Sequence, residues 1–205
     1  MINTTSAPQD ARRNLRSKLI SIEEDSINES DAEQLIEICK KYHKQKKDIP
    51  HRDMYGLHVL DSCYNKSLSD NDLSFCETQF DNIIRRTNEL TNRKHYIDRA
   101  ILSYWPTDSR QVFHWDNARP NTDYTSVTFL NDNYIGGKQI VLEDGNVMIQ
   151  CTPKLGRTIR LDGKNYAHSV TPIEMGARYT MTIWYTLQSA FSIYNIDDPP
   201  RRNNT

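Results

Sequence analysis

Apolar positions recur at helical spacing in the first half of the chain and at alternate positions in the second. Ser30-Asp31-Ala32-Glu33 carries a capping-box pattern, and Leu35, Ile36, Cys39 and Tyr42 follow on one helical face. A second helix is predicted from Ser69 or Asp70, because Leu73, Cys76, Phe80, Ile83, Thr87 and Leu90 return every three or four residues. Between the helices, Tyr55 to Leu60 alternates like a strand. From residue 97 the period changes. Ile97–Trp105, Gln111–His114, Tyr124–Leu130, Gln139–Leu142, Val147–Ile149, Thr158–Leu161, Ala167–Val170 and Arg178–Thr186 read as short strands. Turn signals such as Gly136-Gly137, Asp144-Gly145-Asn146 and Asp162-Gly163 separate them. The pattern predicts a mostly β fold with flanking helices: a double-stranded β-helix, or jelly roll, with N-terminal α-helices packed on one sheet.

The 205 residues suit a single domain with a substantial core. We expect that domain over 10–195, helix-rich over 10–96 and jelly roll over 97–190. Residues 1–9 read as a disordered leader and 196–205 as a flexible tail. A net charge of -1 gives no global argument for a nucleic-acid or membrane partner. No apolar run approaches the ~18 residues of a spanning helix, and the polar start lacks a signal core, so a cytoplasmic location is expected. Cys39, Cys63, Cys76 and Cys151 are scattered, as expected of reduced thiols rather than a zinc site.

Within this background His114-Trp115-Asp116 stands out. On an extended segment, residues two apart share a face, so imidazole and carboxylate point into the sandwich together and Trp115 points away. His168 begins a distant strand that a jelly roll can bring alongside. Two histidines and one carboxylate on one face of an octahedral metal leave three positions open, the arrangement of non-heme Fe(II) oxygenases. His43 and His51 lie in a Lys-rich stretch, His95 in a charged connector, and His58 has no accompanying carboxylate. Arg178 follows His168 by ten residues on an apolar strand, with Thr180 on the same face. A guanidinium there, with a nearby hydroxyl, can anchor an acidic co-substrate. Tyr104 ends an earlier strand and can offer a phenol to the same carboxylate. Thr125 and Phe129 are placed to form a pocket wall. Asn117 and Arg119, in the loop after the metal motif, and Trp184 are candidate substrate contacts, although an indole at Trp184 also suits the core.

The stretch from Tyr104 to Leu187 resembles the 2-oxoglutarate/Fe(II) dioxygenases of the prolyl hydroxylase superfamily, most closely the prolyl 3-hydroxylase (leprecan-type) catalytic domain. The likeness runs through His114-Trp115-Asp116-Asn117, Asp123-Tyr124-Thr125-Ser126, Tyr134-Ile135-Gly136-Gly137, His168-Ser169-Val170-Thr171-Pro172, Gly176-Ala177-Arg178-Tyr179 and Trp184-Tyr185-Thr186-Leu187. It implies Fe(II) ligation by His114, Asp116 and His168. It also implies 2-oxoglutarate held by Arg178 with Tyr104 and Thr180, O2 as oxidant, and ascorbate in support. Lys138 stands where the family often has an acid, and Phe129 where some relatives have a co-substrate tyrosine. The expected activity is hydroxylation of an unactivated C–H bond of a prolyl or other residue in a peptide or protein. The alternatives are a free amino acid or carrier-bound intermediate as substrate, and, from another class, a non-catalytic metal-binding β-sandwich.

Overall fold

A computed structural model of the chain describes residues 20–42, 54–60, 68–116 and 122–191. The expected leader, Asn117, Arg119 and the expected tail lie outside the described residues. Two helices, α1 (Glu29–Tyr42) and α2 (Asp70–Thr91), accompany twelve strands among the described residues. The strands are β1 (Ser21–Glu23), β2 (Tyr55–His58), β3 (Tyr96–Trp105), β4 (Gln111–His114), β5 (Tyr124–Phe129), β6 (Ile135–Gly136), β7 (Gln139–Glu143), β8 (Asn146–Cys151), β9 (Thr158–Leu161), β10 (Ala167–Val170), β11 (Ile173–Met175) and β12 (Arg178–Thr186).

Six strands form a major sheet in the order β1-β9-β5-β12-β3-β2, four form a minor sheet in the order β4-β10-β7-β8, and β11 pairs with β6. Every pairing is antiparallel. This is the jelly roll that the alternating pattern predicts. β1 and β2 come from the part of the chain expected to be helix-rich and form the two edges of the major sheet. β1, β6 and β11 were not expected, because two or three residues are too few to show a period.

Side chains of the central strand β12 divide by parity. Met181, Ile183 and Tyr185 join Leu102 of β3 in one core with Leu35 and Cys39 of α1 and Phe80 and Ile83 of α2. Arg178, Thr180, Thr182 and Trp184 point the other way, toward the minor sheet. Val127, Phe129, Val141, Ile159, Leu161 and Tyr166 make the apolar part of the inter-sheet layer. The helices thus brace the back of the sheet whose front carries the chemistry.

Two helix details differ from expectation. The first cap is Asn28, whose Oδ1 accepts from the Asp31 amide at 2.8 Å, two residues before the Ser30 pattern. Leu90 is 59% exposed, because α2 turns its last apolar position past the edge of the sheet core. Ser69 caps α2 as expected, accepting from the Asp72 amide at 3.2 Å. No helix of the described residues is long and apolar enough to cross a membrane.

The core placement makes a testable contrast. Phe80→Ala should lower unfolding stability by about 3–5 kcal/mol. Leu90→Ala should change it by less than ~0.5 kcal/mol. Urea unfolding of the two variants measures both, and equal losses would contradict the assignment of faces.

Candidate active site

β4 and β10 are neighbours in the minor sheet, and their register sets His114 directly opposite His168. Residues 54 apart in sequence thereby become a cross-strand pair, with ring centroids 4.2 Å apart. Each ring is oriented by a backbone carbonyl at Nδ1: that of Val112 for His114 and that of Tyr166 for His168, both at 3.1 Å. A proton held at Nδ1 leaves the Nε2 lone pair for the centre of the site. His114 Nε2 meanwhile accepts from the Gln111 amide at 2.9 Å, so a metal must displace Gln111 to use it.

Asp116 lies just past the end of β4. Its amide donates to the Gly163 carbonyl at 2.7 Å, and its Oδ2 accepts from the Thr125 hydroxyl at 2.6 Å. His114 Nε2 is 3.7 Å from Oδ1 and His168 Nε2 is 3.6 Å from Oδ2. One ligand atom from each of the three residues lies within 4.8 Å of the others. Burial pushes the Asp116 carboxyl up, but His168, Thr125 and His114 outweigh it and hold the group below its usual value. The Trp184 indole also favours the anion, from outside full hydrogen-bond geometry. Gly163 is required here: an added Cβ would stand 2.5 Å from Asp116 Oδ2.

The triad opens into a cavity of about 40 Å³ between the sheets. Arg178, Thr180, Trp105, Thr125 and Trp184 line the same cavity. Arg178 is 1% exposed, and its guanidinium lies between the rings of Trp105 and Phe129, 5.1 and 5.2 Å from their centroids. Burial lowers its pKa, while the Tyr134 phenol partly offsets that, from outside hydrogen-bond geometry. Arg160 makes a useful comparison. It is 4% exposed, but Glu23 accepts from it at 2.7 Å and Thr87 at 3.0 Å. Arg178 Nε has no hydrogen-bond partner among the described residues, and neither have Trp105 Nε1 and Trp184 Nε1. Buried donors that line one cavity without acceptors match an anionic, oxygen-rich ligand.

The expected site residues are sorted by this geometry. His114, Asp116, His168, Arg178, Thr180 and Trp184 come together. Tyr104 does not. It pairs with Tyr179 across β3 and β12, so it faces the helices, where its ring stacks between Tyr55 and Tyr179. Its neighbour Trp105, paired with Arg178, takes the inner position. Tyr134 was also missed. Its hydroxyl is buried beside Arg178, and burial raises its pKa to about 12. Gly137, at φ +65, lets the two approach, because its Cβ would meet the Tyr134 ring at 2.8 Å and Arg178 Cδ at 3.0 Å.

Comparison with known proteins agrees with the geometry. The family model for the 2OG-Fe(II) oxygenase superfamily matches residues 100–186. That segment contains the triad and Arg178. No curated protein sequence matches the chain. Among solved structures, a Pseudomonas putida prolyl-4-hydroxylase is 14% identical with a TM-score of 0.64, over 86% of this chain and 97% of that one. A Trichoplax adhaerens prolyl hydroxylase in complex with a hypoxia inducible factor oxygen degradation domain peptide fragment is 16% identical with a TM-score of 0.63, over 89% and 94%. The viral collagen prolyl hydroxylase of Paramecium Bursaria Chlorella virus-1 is 15% identical with a TM-score of 0.60, over 83% and 97%.

Residues 100–186 match the 2OG-Fe(II) oxygenase superfamily model, and that match, with the His-Asp-His triad it contains, supports a dioxygenase enzyme. Its cofactors are Fe(II) and 2-oxoglutarate, with O2 as co-substrate.

The shell around Asp116 supports a prediction. Thr125→Val should weaken Fe(II) binding about 10–100-fold without unfolding the protein. Gly163→Ala should weaken it at least as much, because the added methyl displaces the carboxylate. Anaerobic metal titration with circular dichroism as a folding control checks both. Unchanged affinity in both variants would contradict this role for the shell.

Proposed function

We propose that this oxygenase hydroxylates a prolyl or other residue within a peptide or protein. The observation that carries the oxygenase chemistry is the single cavity in which the three metal-ligating side chains meet a buried, acceptor-poor arginine. The peptide substrate is supported by the sequence resemblance to prolyl hydroxylases and by the fold shared with them, one such neighbour being solved with a peptide fragment bound.

His114, Asp116 and His168 would hold Fe(II). Arg178 would hold the distal carboxylate of 2-oxoglutarate, with Thr180 and Trp105 beside it and Tyr134 steadying the guanidinium. When bound, the pair supplies oxidation of a C–H bond by O2, with succinate and CO2 as by-products. The chain's own part is positioning. The two backbone carbonyls fix the imidazole tautomers, and Thr125 and Gly163 fix the carboxylate. The sequence motifs favour the prolyl 3-hydroxylase branch, whereas the structural neighbours include a prolyl-4-hydroxylase. The position of the new hydroxyl in the product distinguishes the two.

Incubation with Fe(II), 2-oxoglutarate, O2 and a panel of proline-containing peptides should give a peptide heavier by one oxygen atom and one succinate for each. His168→Ala should give neither. Product on free amino acids alone would move the reading to the small-molecule alternative, and no succinate under any condition would overturn the oxygenase reading.

A further inference from the structure

Behind the major sheet, α1 and the loops flanking β12 enclose a groove of about 710 Å³. It is separate from the triad cavity. Tyr179 lines the groove, whereas Arg178, one position earlier on β12, lines the cavity on the opposite face. Ligand sites commonly occupy roughly 300–1,000 Å³, so the groove is large enough to hold one. Its floor is apolar: Ile36, Leu155, Ala177 and Tyr179 are half-buried. The floor is also fixed. The Tyr179 amide donates to Asn131 Oδ1 at 2.8 Å, the Leu130 amide to the Tyr179 carbonyl at 3.0 Å, and Asn131 Nδ2 to the Ala177 carbonyl at 2.8 Å. With these groups satisfied, the floor offers apolar contact on a rigid base.

The walls carry the opposite character. Glu29, Glu33 and Glu37 recur every four residues along α1, share one face and line the groove, and Asp132 joins them from the loop after β5. Lys40 neutralises Glu37 at 2.7 Å. Glu29 and Glu33 make no hydrogen bond or ion pair among the described residues. Asp132 accepts from the Leu155 amide at 3.0 Å but meets no cation among them. Three carboxylates thus border one apolar groove in a chain whose net charge is only -1. The helix dipole favours Glu29 in the first turn of α1, but Glu33 stands between two like charges and gains nothing there. The fold therefore gives no stabilising reason for this row, whereas a cationic occupant would.

We propose that this groove docks an extended segment of a partner protein in which basic residues alternate with apolar ones. The spacing fits that occupant. Residues four apart on a helix rise by roughly 6 Å, and alternate residues of an extended peptide are about 6.8 Å apart. Successive basic side chains of such a peptide meet Glu29 and Glu33, and the residues between them turn to the apolar floor. Asp132 receives a further cation from the loop side. Because the groove and the triad cavity lie on opposite faces of β12, the docked segment leaves the metal and co-substrate site open.

Fluorescence anisotropy of Gly-Leu-Arg-Leu-Arg-Leu-amide, labelled with fluorescein at its N-terminus and titrated with the full chain, tests the docking. The same peptide with Gln at both Arg positions is the control. The basic peptide should bind at least about tenfold tighter than the control, and the advantage should shrink as salt rises. Glu29 and Glu33 are exposed, so E29Q/E33Q should fold, as circular dichroism checks, and should bring the ratio close to unity. E89Q/E174Q, which removes two exposed acids outside the groove lining, should leave the ratio unchanged. Equal or absent binding of the two peptides, a ratio that survives E29Q/E33Q, or the same loss in E89Q/E174Q overturns the proposal. Full displacement of the peptide by an equal concentration of spermine would assign the groove to a small polycation. A dimer of the free protein that the peptide dissociates would assign it to a second copy of this chain. Either result also overturns the proposal.

Discussion

The register between β4 and β10 is the constraint on which the site depends. It places His114 opposite His168, so the sheet itself, rather than a loop, sets the spacing of two candidate ligands. A slip of one residue would turn one imidazole to the outer face and leave no pair. Asp116 then needs only a short reach from the end of β4, and the Gly163 carbonyl and Thr125 hydroxyl hold it where the imidazoles converge. A carboxylate buried this deeply is costly without partners. Here the same groups that would hold a cation with it also keep it charged.

Arg178 is the complementary half of that arrangement. A guanidinium at 1% exposure without a carboxylate beside it among the described residues sacrifices stability in the protein alone, whereas Arg160, also buried, has Glu23 and Thr87. An anion entering the cavity would offset the deficit at Arg178, and a co-substrate held there would thereby stabilise the fold. The back of the sheet makes this tolerable. Met181, Ile183 and Tyr185, alternating with the inner row, pack on α1 and α2 and hold β12 in place while its front face carries polar groups.

The sequence made the triad legible because residue type and spacing alone specify its chemistry. Thr158–Leu161, Ala167–Val170 and Arg178–Thr186 match the observed strands residue for residue, since each is bounded by clear turn signals. What was not legible was pairing. Tyr104 and Trp105 are adjacent, and only the alignment of β3 on β12 decides that Trp105 faces Arg178. Tyr134 escaped notice for a related reason: it precedes the two-residue strand β6, and its approach to Arg178 depends on the positive φ of Gly137. The doubled Gly136-Gly137 was the available signal, but it was read as a turn and as part of the family likeness, with no role given to Tyr134. Helix ends were similarly underdetermined, with Asn28 and Ser30 both chemically suited to cap α1.

The central claim is that the triad and Arg178 form one coupled site for metal and co-substrate. Anaerobic titration of 2-oxoglutarate into the Fe(II)-loaded protein, followed by visible absorption, tests it most directly. The account predicts a weak, saturable charge-transfer band in the wild type and the same band in Arg178→Ala only at 2-oxoglutarate concentrations at least about tenfold higher. No band in the wild type, or an identical 2-oxoglutarate requirement in the variant, would contradict it.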